Sequence, residues 1–342
     1  MNINPRKGLP NRHVSNILIL GSNSFAGAAT VEACLNSKMN VWGVSRSREL
    51  HGAFRVYDKH QNIDKFTFEK VDINNNLEKL ISLIEFVKPD AIIDFAGQGM
   101  VAQSWENPDQ WYQTNILAKS KLHKNLIGNE HLKAYVRIST PEVYGNSDKL
   151  LSENMAYNPS TPYAVSHAAT DMSLNAFYSQ FDFPVMTTRF ANFYGSGQQL
   201  YRIVPRTILA ALGQGKLTLD GGGTSIRSFI HRRDVASGIL ATLRHGSLGE
   251  TYHFSNDEFV SIKELVVKIG NLMDVDMEDF CVDGPERMGK DQAYLMNAKK
   301  AVDELGWSSE ISLSCGLIET VDWLRANIEE LEKHPFEYAH QI

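Results

Sequence analysis

Two short segments combine residue types that can move a proton at an alcohol. In Ile138-Ser139-Thr140-Pro141-Glu142-Val143-Tyr144-Gly145 a hydroxyl and a carboxylate stand two residues apart. In Pro162-Tyr163-Ala164-Val165-Ser166-His167 a phenol and an imidazole are related as i and i+4, so a helix would stack them on one face. A tyrosine with a cation one turn away has a stabilised phenolate and suits general-base work. Thr140 can hydrogen-bond the same substrate oxygen. The plain alternative is a core-facing tyrosine with a capping histidine.

A third segment, Gly21-Ser22-Asn23-Ser24-Phe25-Ala26-Gly27, has the make-up of a phosphate turn. Such a turn needs a residue tolerant of positive φ, backbone amides aimed at a pyrophosphate, and close helix–strand packing. Gly21 and Gly27 meet the first and last needs, while Ser24 replaces the usual middle glycine. Further on, Val44-Ser45-Arg46-Ser47-Arg48 offers an arginine where an acid would hold ribose hydroxyls, which favours the 2′-phosphate of NADP(H) over NAD(H). A solvated loop with two arginines is the alternative.

Apolar runs alternate with amphipathic stretches, the pattern of a parallel sheet with helical crossovers. Strands are expected at 16–20, 41–45, 66–71, 91–95, 134–139 and 185–190, with helices at 25–37, 77–87, 109–128 and 163–181. After Phe190 the glycines at 195, 197, 213, 215 and 221–223 change the rhythm. Helices at 205–212, 261–273 and 313–331 and a strand near 216–219 then suggest a smaller lid. The fold class is therefore α/β, a Rossmann doubly wound parallel sheet with a smaller α+β substrate-binding domain. The expected division is 14–190 with a return segment at 229–257 for the dinucleotide, 191–228 and 258–330 for the substrate, and a tail at 331–342. Trp105 and Trp111 read as packing residues.

The 342 residues carry 34 basic and 40 acidic side chains, a net charge of −6, with 43% hydrophobic residues. That acidity disfavours non-specific nucleic-acid binding. No run is long and apolar enough for a membrane span, and the polar residues 1–16 lack the apolar core of a signal peptide. Three scattered cysteines and no metal-ligand spacing among the eleven histidines indicate a cytoplasmic protein without metal. His51 with His60, and His123 with His131, read as surface residues.

These segments, in this order, resemble the extended short-chain dehydrogenase/reductase family, and within it the nucleotide-sugar 4,6-dehydratases, from about Ile17 to Leu324. By this resemblance Gly21, Ser24, Phe25, Gly27, Arg46, Asp72, Ile73, Ala96, Gly97, Tyr163 and His167 would bind the cofactor. Thr140, Glu142, Tyr163, His167 and Asn115 would form the catalytic set, Asn115 supporting the active-site helix. Gln98, Asn192, Arg202, Val204, Arg227 and Arg287 would bind a nucleoside-diphosphate sugar. The resemblance implies that Tyr163 deprotonates the sugar 4-hydroxyl while hydride leaves C4. Glu142 then takes the acidified C5 proton, the C6 hydroxyl departs as water, and hydride returns to give a 4-keto-6-deoxy sugar. A homodimer built on helices 109–128 and 163–181 is expected by the same analogy.

Two positions depart from that family. A lysine generally stands at His167, and histidine, with an ordinary pKa near 6.5, is partly charged at neutral pH. His167 protonation is then expected to shape the pH profile, and His167→Lys to broaden it. Pro141 stands where many thymidine-type enzymes carry an aspartic acid, and proline has no proton to give. Epimerisation, decarboxylation or 5,6-elimination through the same 4-keto intermediate stay open, as does a non-catalytic cofactor-binding role.

Overall fold

A computed structural model describes residues 11–50, 52–147, 149–285 and 295–340. The main sheet is built from β1 (Asn16–Leu20), β2 (Asn40–Ser45), β3 (Phe66–Lys70), β4 (Ala91–Asp94), β5 (Ala134–Ile138) and β6 (Val185–Phe190). Among them run α1 (Phe25–Asn36), α2 (Leu77–Val87), α3 (Pro108–Trp111), α4 (Lys119–Leu126) and α5 (Pro162–Phe181). The second half adds β7 (Asn192–Tyr194), α6 (Ile203–Ala211), β8 (Leu217–Asp220), β9 (Ile226–His231) and α7 (Arg232–His245). It continues with β10 (Thr251–Phe254), β11 (Phe259–Ser261), α8 (Ile262–Leu272), α9 (Met277–Phe280) and β12 (Cys281–Gly284). The last elements are α10 (Lys299–Leu305), α11 (Leu313–Ala326) and α12 (Ile328–Leu331).

Seven strands pair in the order β10-β6-β5-β4-β1-β2-β3, every neighbouring pair parallel. The buried runs in β4, β5 and β6 follow from helices covering both faces, which leaves such strands no polar side. The order reverses between β1 and β4, so the carboxyl ends of those strands splay open a crevice. Two small sheets, β11-β9-β7 and β12-β8, sit outside the main one. A separate apolar cluster, including Val204, Ile208, Leu265, Leu317 and Leu324, packs around them. No helix among the described residues is long and apolar enough to cross a membrane.

The long helix expected at 109–128 is a composite. Between α3 and α4 the chain widens into a π-helical stretch, Tyr112–Ala118, which carries Thr114 and Asn115; such insertions recur at functional sites. Trp111 is buried as expected, but Trp105 is 54% exposed. The tail closes over the fold, with the Tyr338 ring edge-on to Tyr201 and the His340 ring stacked 5.2 Å from Trp111. These contacts between elements far apart in sequence leave no periodic trace.

Under the sheet's carboxyl edge lies a buried ion pair. Lys119 Nζ donates to Asp94 Oδ2 at 2.5 Å, both side chains almost fully enclosed. Tyr135 Oη donates to the same oxygen at 2.7 Å, and the Ala96 amide donates to Asp94 Oδ1 at 3.0 Å. Burial pulls Lys119 down to about 8, with Asp94 working the other way. The pair therefore stays ionised at neutral pH. Lys119→Met leaves the carboxylate uncompensated and is expected to cost about 3–5 kcal/mol of unfolding free energy in urea titration. A loss under about 1 kcal/mol, typical of exposed pairs, would contradict this account.

Candidate active site

The crevice at the strand reversal is lined by Gly21, Arg46, Asp72, Ile73, Ala96 and Gly97, all expected from the sequence to surround a cofactor, and by Gln98, expected to bind the sugar nucleotide. Gly21 has φ +80, and a Cβ there would lie 2.8 Å from the Ala96 amide nitrogen, so only glycine lets the β1 and β4 exits approach. Gly27 is equally constrained, its Cβ falling 2.3 Å from the Gly21 carbonyl oxygen. Ser24 needs no such freedom. At φ −70 it is the N-cap of α1, its Oγ accepting from the Gly27 amide at 3.0 Å. The first-turn amides that begin at Phe25 have no intrahelical partners, and no acid stands in the first turn.

Asn23 shapes the loop after β2. Its amide group donates to Ser47 Oγ at 2.9 Å and to the Arg48 carbonyl at 2.7 Å, while its backbone amide donates to Ser45 Oγ. This clamp sets where Arg46 enters the crevice. Sequence reading passed over Asn23 because its partners are more than twenty residues away.

The two segments expected to be catalytic meet where α5 packs against the turn after β5. Thr140 caps that turn, its Oγ1 accepting from the Glu142 amide at 3.3 Å and its hydroxyl hydrogen still available to donate. Pro141 is the buried first residue, leaving Glu142 the acid of the turn. Thr161 caps α5, accepting from the Ala164 amide at 3.1 Å, which puts Tyr163 in the first turn, where the helix dipole favours negative charge. Asn115 joins the two sides. Its Oδ1 accepts from the Gln98 amide at 2.8 Å, and its Nδ2 donates to the Gln98 carbonyl and to Ser166 Oγ, which donates to the Tyr163 carbonyl.

The residues expected to hold the substrate are more scattered. Asn192 opens β7, Arg202 lies at the entrance to α6 with its guanidinium 5.4 Å from the Tyr201 ring centre, and Arg227 lies almost buried on β9. Val204 points into the apolar core, so only its backbone could face a ligand. Arg287 lies outside the described residues.

The chain matches the family model of GDP-mannose 4,6 dehydratase over residues 18–320. The chain belongs to this family. It is 30% identical to a dTDP-glucose 4,6-dehydratase of Xanthomonas campestris over 91% of this chain and 93% of that protein. With the Haemophilus influenzae dTDP-glucose 4,6-dehydratase the identity is 28%, over 91% and 98% of the two chains. The crystal structure of DesIV, a dTDP-glucose 4,6-dehydratase from Streptomyces venezuelae with NAD bound, superposes with a TM-score of 0.85 at 26% identity, covering 93% of this chain and 99% of that one.

In this member of the dehydratase family, His167 departs from its expected role as a titrating cation. Its ring lies 4.6 Å from that of Tyr163, so the two do share a face. Yet Nδ1 lies 2.9 Å from Nη2 of Arg137. A guanidinium can only donate, so Nδ1 accepts and the imidazole is neutral. Burial, then Arg137, Lys119 and Arg189, hold its pKa well below the usual histidine value. Protonation of His167 therefore does not shape the pH profile near neutrality. Arg137 was missed as a site residue, although an arginine inside the apolar strand Ala134–Ile138 is a legible signal.

His123 is the other correction, since it is 1% rather than largely exposed. Its Nε2 donates at 3.0 Å to Tyr135 Oη, whose own hydrogen goes to Asp94. Burial pushes its pKa down to about 3 and that of the enclosed His253 well below the ordinary value. Below about pH 6.5 the unfolded chain binds protons that the fold refuses, so stability is full above that pH and falls as pH drops below it. Each histidine removes up to about 1.4 kcal/mol per pH unit. Urea titrations at pH 7 and 5.5 should show the fall, and His123→Phe should reduce its slope; equal stabilities at the two pH values would contradict it. At the crevice, Gly21→Ala is expected to abolish dinucleotide binding in fluorescence titration while the chain stays folded, and unchanged binding would refute the close-approach argument.

Proposed function

We propose that the protein is a nucleotide-sugar 4,6-dehydratase, an enzyme that converts a nucleoside-diphosphate sugar to its 4-keto-6-deoxy form. The observation that carries this reading is the meeting of Glu142 and Thr140, on the turn after β5, with Tyr163 in the first turn of α5 beside the dinucleotide crevice. A carboxylate in that place serves removal of the sugar C5 proton, which simple 4-epimerisation does not need. The family membership and the full-length likeness to named dehydratases support it.

The crevice fits a nicotinamide dinucleotide. The Gly21 turn and the unpartnered first-turn amides of α1 suit a pyrophosphate, and Asp72, Ile73, Ala96 and Gly97 would line the remainder. When bound, the cofactor accepts a hydride from the sugar and returns it. Arg46 at the end of β2 favours a 2′-phosphate and hence NADP(H), whereas DesIV holds NAD. Residues 14–190 and 229–257 would hold the cofactor, and 191–228 with 258–330 the nucleotide sugar. There Asn192, Arg202 and Arg227 would bind the diphosphate, assisted by Arg287.

In this reading Tyr163 takes the proton of the 4-hydroxyl, helped by the helix dipole, and Thr140 donates a hydrogen bond to the same oxygen. Glu142 removes the C5 proton. Because Pro141 cannot supply a proton, Glu142 also returns one to the departing hydroxide. We further propose a homodimer. Leu117, Val165 and Met172 are exposed on the helical pair at 112–126 and α5, the last two seven residues apart and so on one face.

The test is a mass-spectrometric panel of nucleotide sugars incubated in D₂O with NADP⁺ or NAD⁺. Loss of water with deuterium at a C5-derived position is the expected result. Deuterium-free epimerisation or loss of carbon dioxide would replace the dehydratase reading with another. Glu142→Gln is expected to lower water elimination by about 10²–10⁴-fold while nucleotide-sugar binding persists; a smaller effect would take the carboxylate out of the mechanism.

A further inference from the structure

We propose that Arg137 is a positioning residue that holds His167 as the neutral Nε2–H tautomer beside Tyr163 and supplies from beneath the positive charge that His167 does not carry. The proposal rests on the dehydratase reading of the site for its catalytic meaning, and on geometry alone for the state of the ring.

Arg137 is 1% exposed on β5, and Tyr163 and His167 lie on α5. Its Nη2 donates to His167 Nδ1 at 2.9 Å, and its Nε lies 3.4 Å from Asp171 Oδ1 without an aligned hydrogen bond. Asp171 is itself held on its other oxygen, by Ser139 Oγ at 2.5 Å and Arg189 Nη2 at 2.9 Å. The guanidinium thus lies between a carboxylate and the imidazole. Because Arg has no acceptor atom, the contact with Nδ1 permits one protonation state only. The proton sits on Nε2, and a second proton on Nδ1 would meet an N–H head-on. His167 is only partly buried while Arg137 is enclosed, and Nε2 is the ring nitrogen that Arg137 does not take. There Nε2–H is a fixed donor, as a tautomer set from behind makes it.

The charge count supports the second half. The buried charged groups behind His167 are Arg137 on β5, Arg189 on β6, Lys119 on α4, Asp94 on β4 and Asp171 on α5, while Glu142 stands on the turn packed against α5. Three cations against two carboxylates leave one excess positive charge among these five buried groups. Arg137 contacts His167, whose ring lies 4.6 Å from that of Tyr163, so this charge favours the Tyr163 phenolate while Lys119, held at about 8, is still protonated. A cation at position 167 would be redundant and would stand against Arg137 and Lys119.

Side-chain ¹⁵N spectra of histidine-labelled full-length protein test the ring directly, with His167→Asn to assign its signals. The expected result is one neutral Nε2–H tautomer from pH 5.5 to 8. In Arg137→Met, which removes the donor, the Nδ1–H form should appear alongside it, and Arg137→Lys, which keeps a donor, should restore the single tautomer. An Nδ1–H tautomer, or titration of His167 within that range in the unaltered protein, overturns the proposal. This readout needs no substrate, so it stands even if no nucleotide sugar turns over. With a substrate in hand, Arg137→Met should lower kcat by about tenfold to a hundredfold, with KM little changed. His167→Lys should be impaired and the Arg137→Met/His167→Lys pair should recover part of the loss. Full activity of His167→Lys with Arg137 in place would refute the charge assignment.

Discussion

The carboxylate of Asp171 holds together the part of the molecule that carries the candidate site. It accepts from Ser139 at the end of β5 and from Arg189 on β6, and it faces Arg137, so one side chain of α5 ties down two neighbouring strands. Arg189 in turn donates to Tyr144 and Tyr157, which fixes the turn carrying Glu142. Burying this many charges is tolerable only because each has a partner; an unpaired one would cost several kcal/mol. Register between α5 and the sheet is therefore strongly specified, and with it the height of Tyr163 above the strand ends.

A second set of polar contacts links the cofactor crevice to that helix. Asp94 accepts from the Ala96 amide and shapes the exit of β4, and Asn115 grips both backbone groups of Gln98 two residues later. Ser166 then carries the connection to the Tyr163 carbonyl. The π-helical stretch places Asn115 for this, and Gly97 is small because a Cβ would lie 2.8 Å from Asn115 Oδ1. Buried hydrogen bonds thus connect the crevice wall to the helix that carries the proposed base.

In the proposed active site, His167 would keep a workable field without a charge of its own. A lysine would bring its own charge, whereas here the charge stays in the sheet on Arg137, which contacts the histidine ring, and the proposed Nε2–H tautomer would contribute a donor. Electrostatic stabilisation depends on the summed field at the reacting atom, not on which residue bears the charge. The neighbouring lysine and arginine then work against any proton on the imidazole.

Local spacing determined much of this protein. The alternation of apolar runs predicted all six strands through β6 to within a residue or so. The Gly21–Gly27 turn and the i, i+4 relation of Tyr163 and His167 marked the crevice and the helix face, because those features depend on near neighbours in the chain. Tertiary structure decided the rest. His123 alternates with polar residues like a surface side chain, yet packs beneath Tyr135 because α4 turns that face to the sheet. Asn23 became a clamp, and the aperiodic tail came to cover Trp111, through partners far away in sequence. The protonation of His167 depended on a donor thirty residues upstream on another element. Charge state follows from what surrounds a group in space, and spacing along the chain carries no record of that.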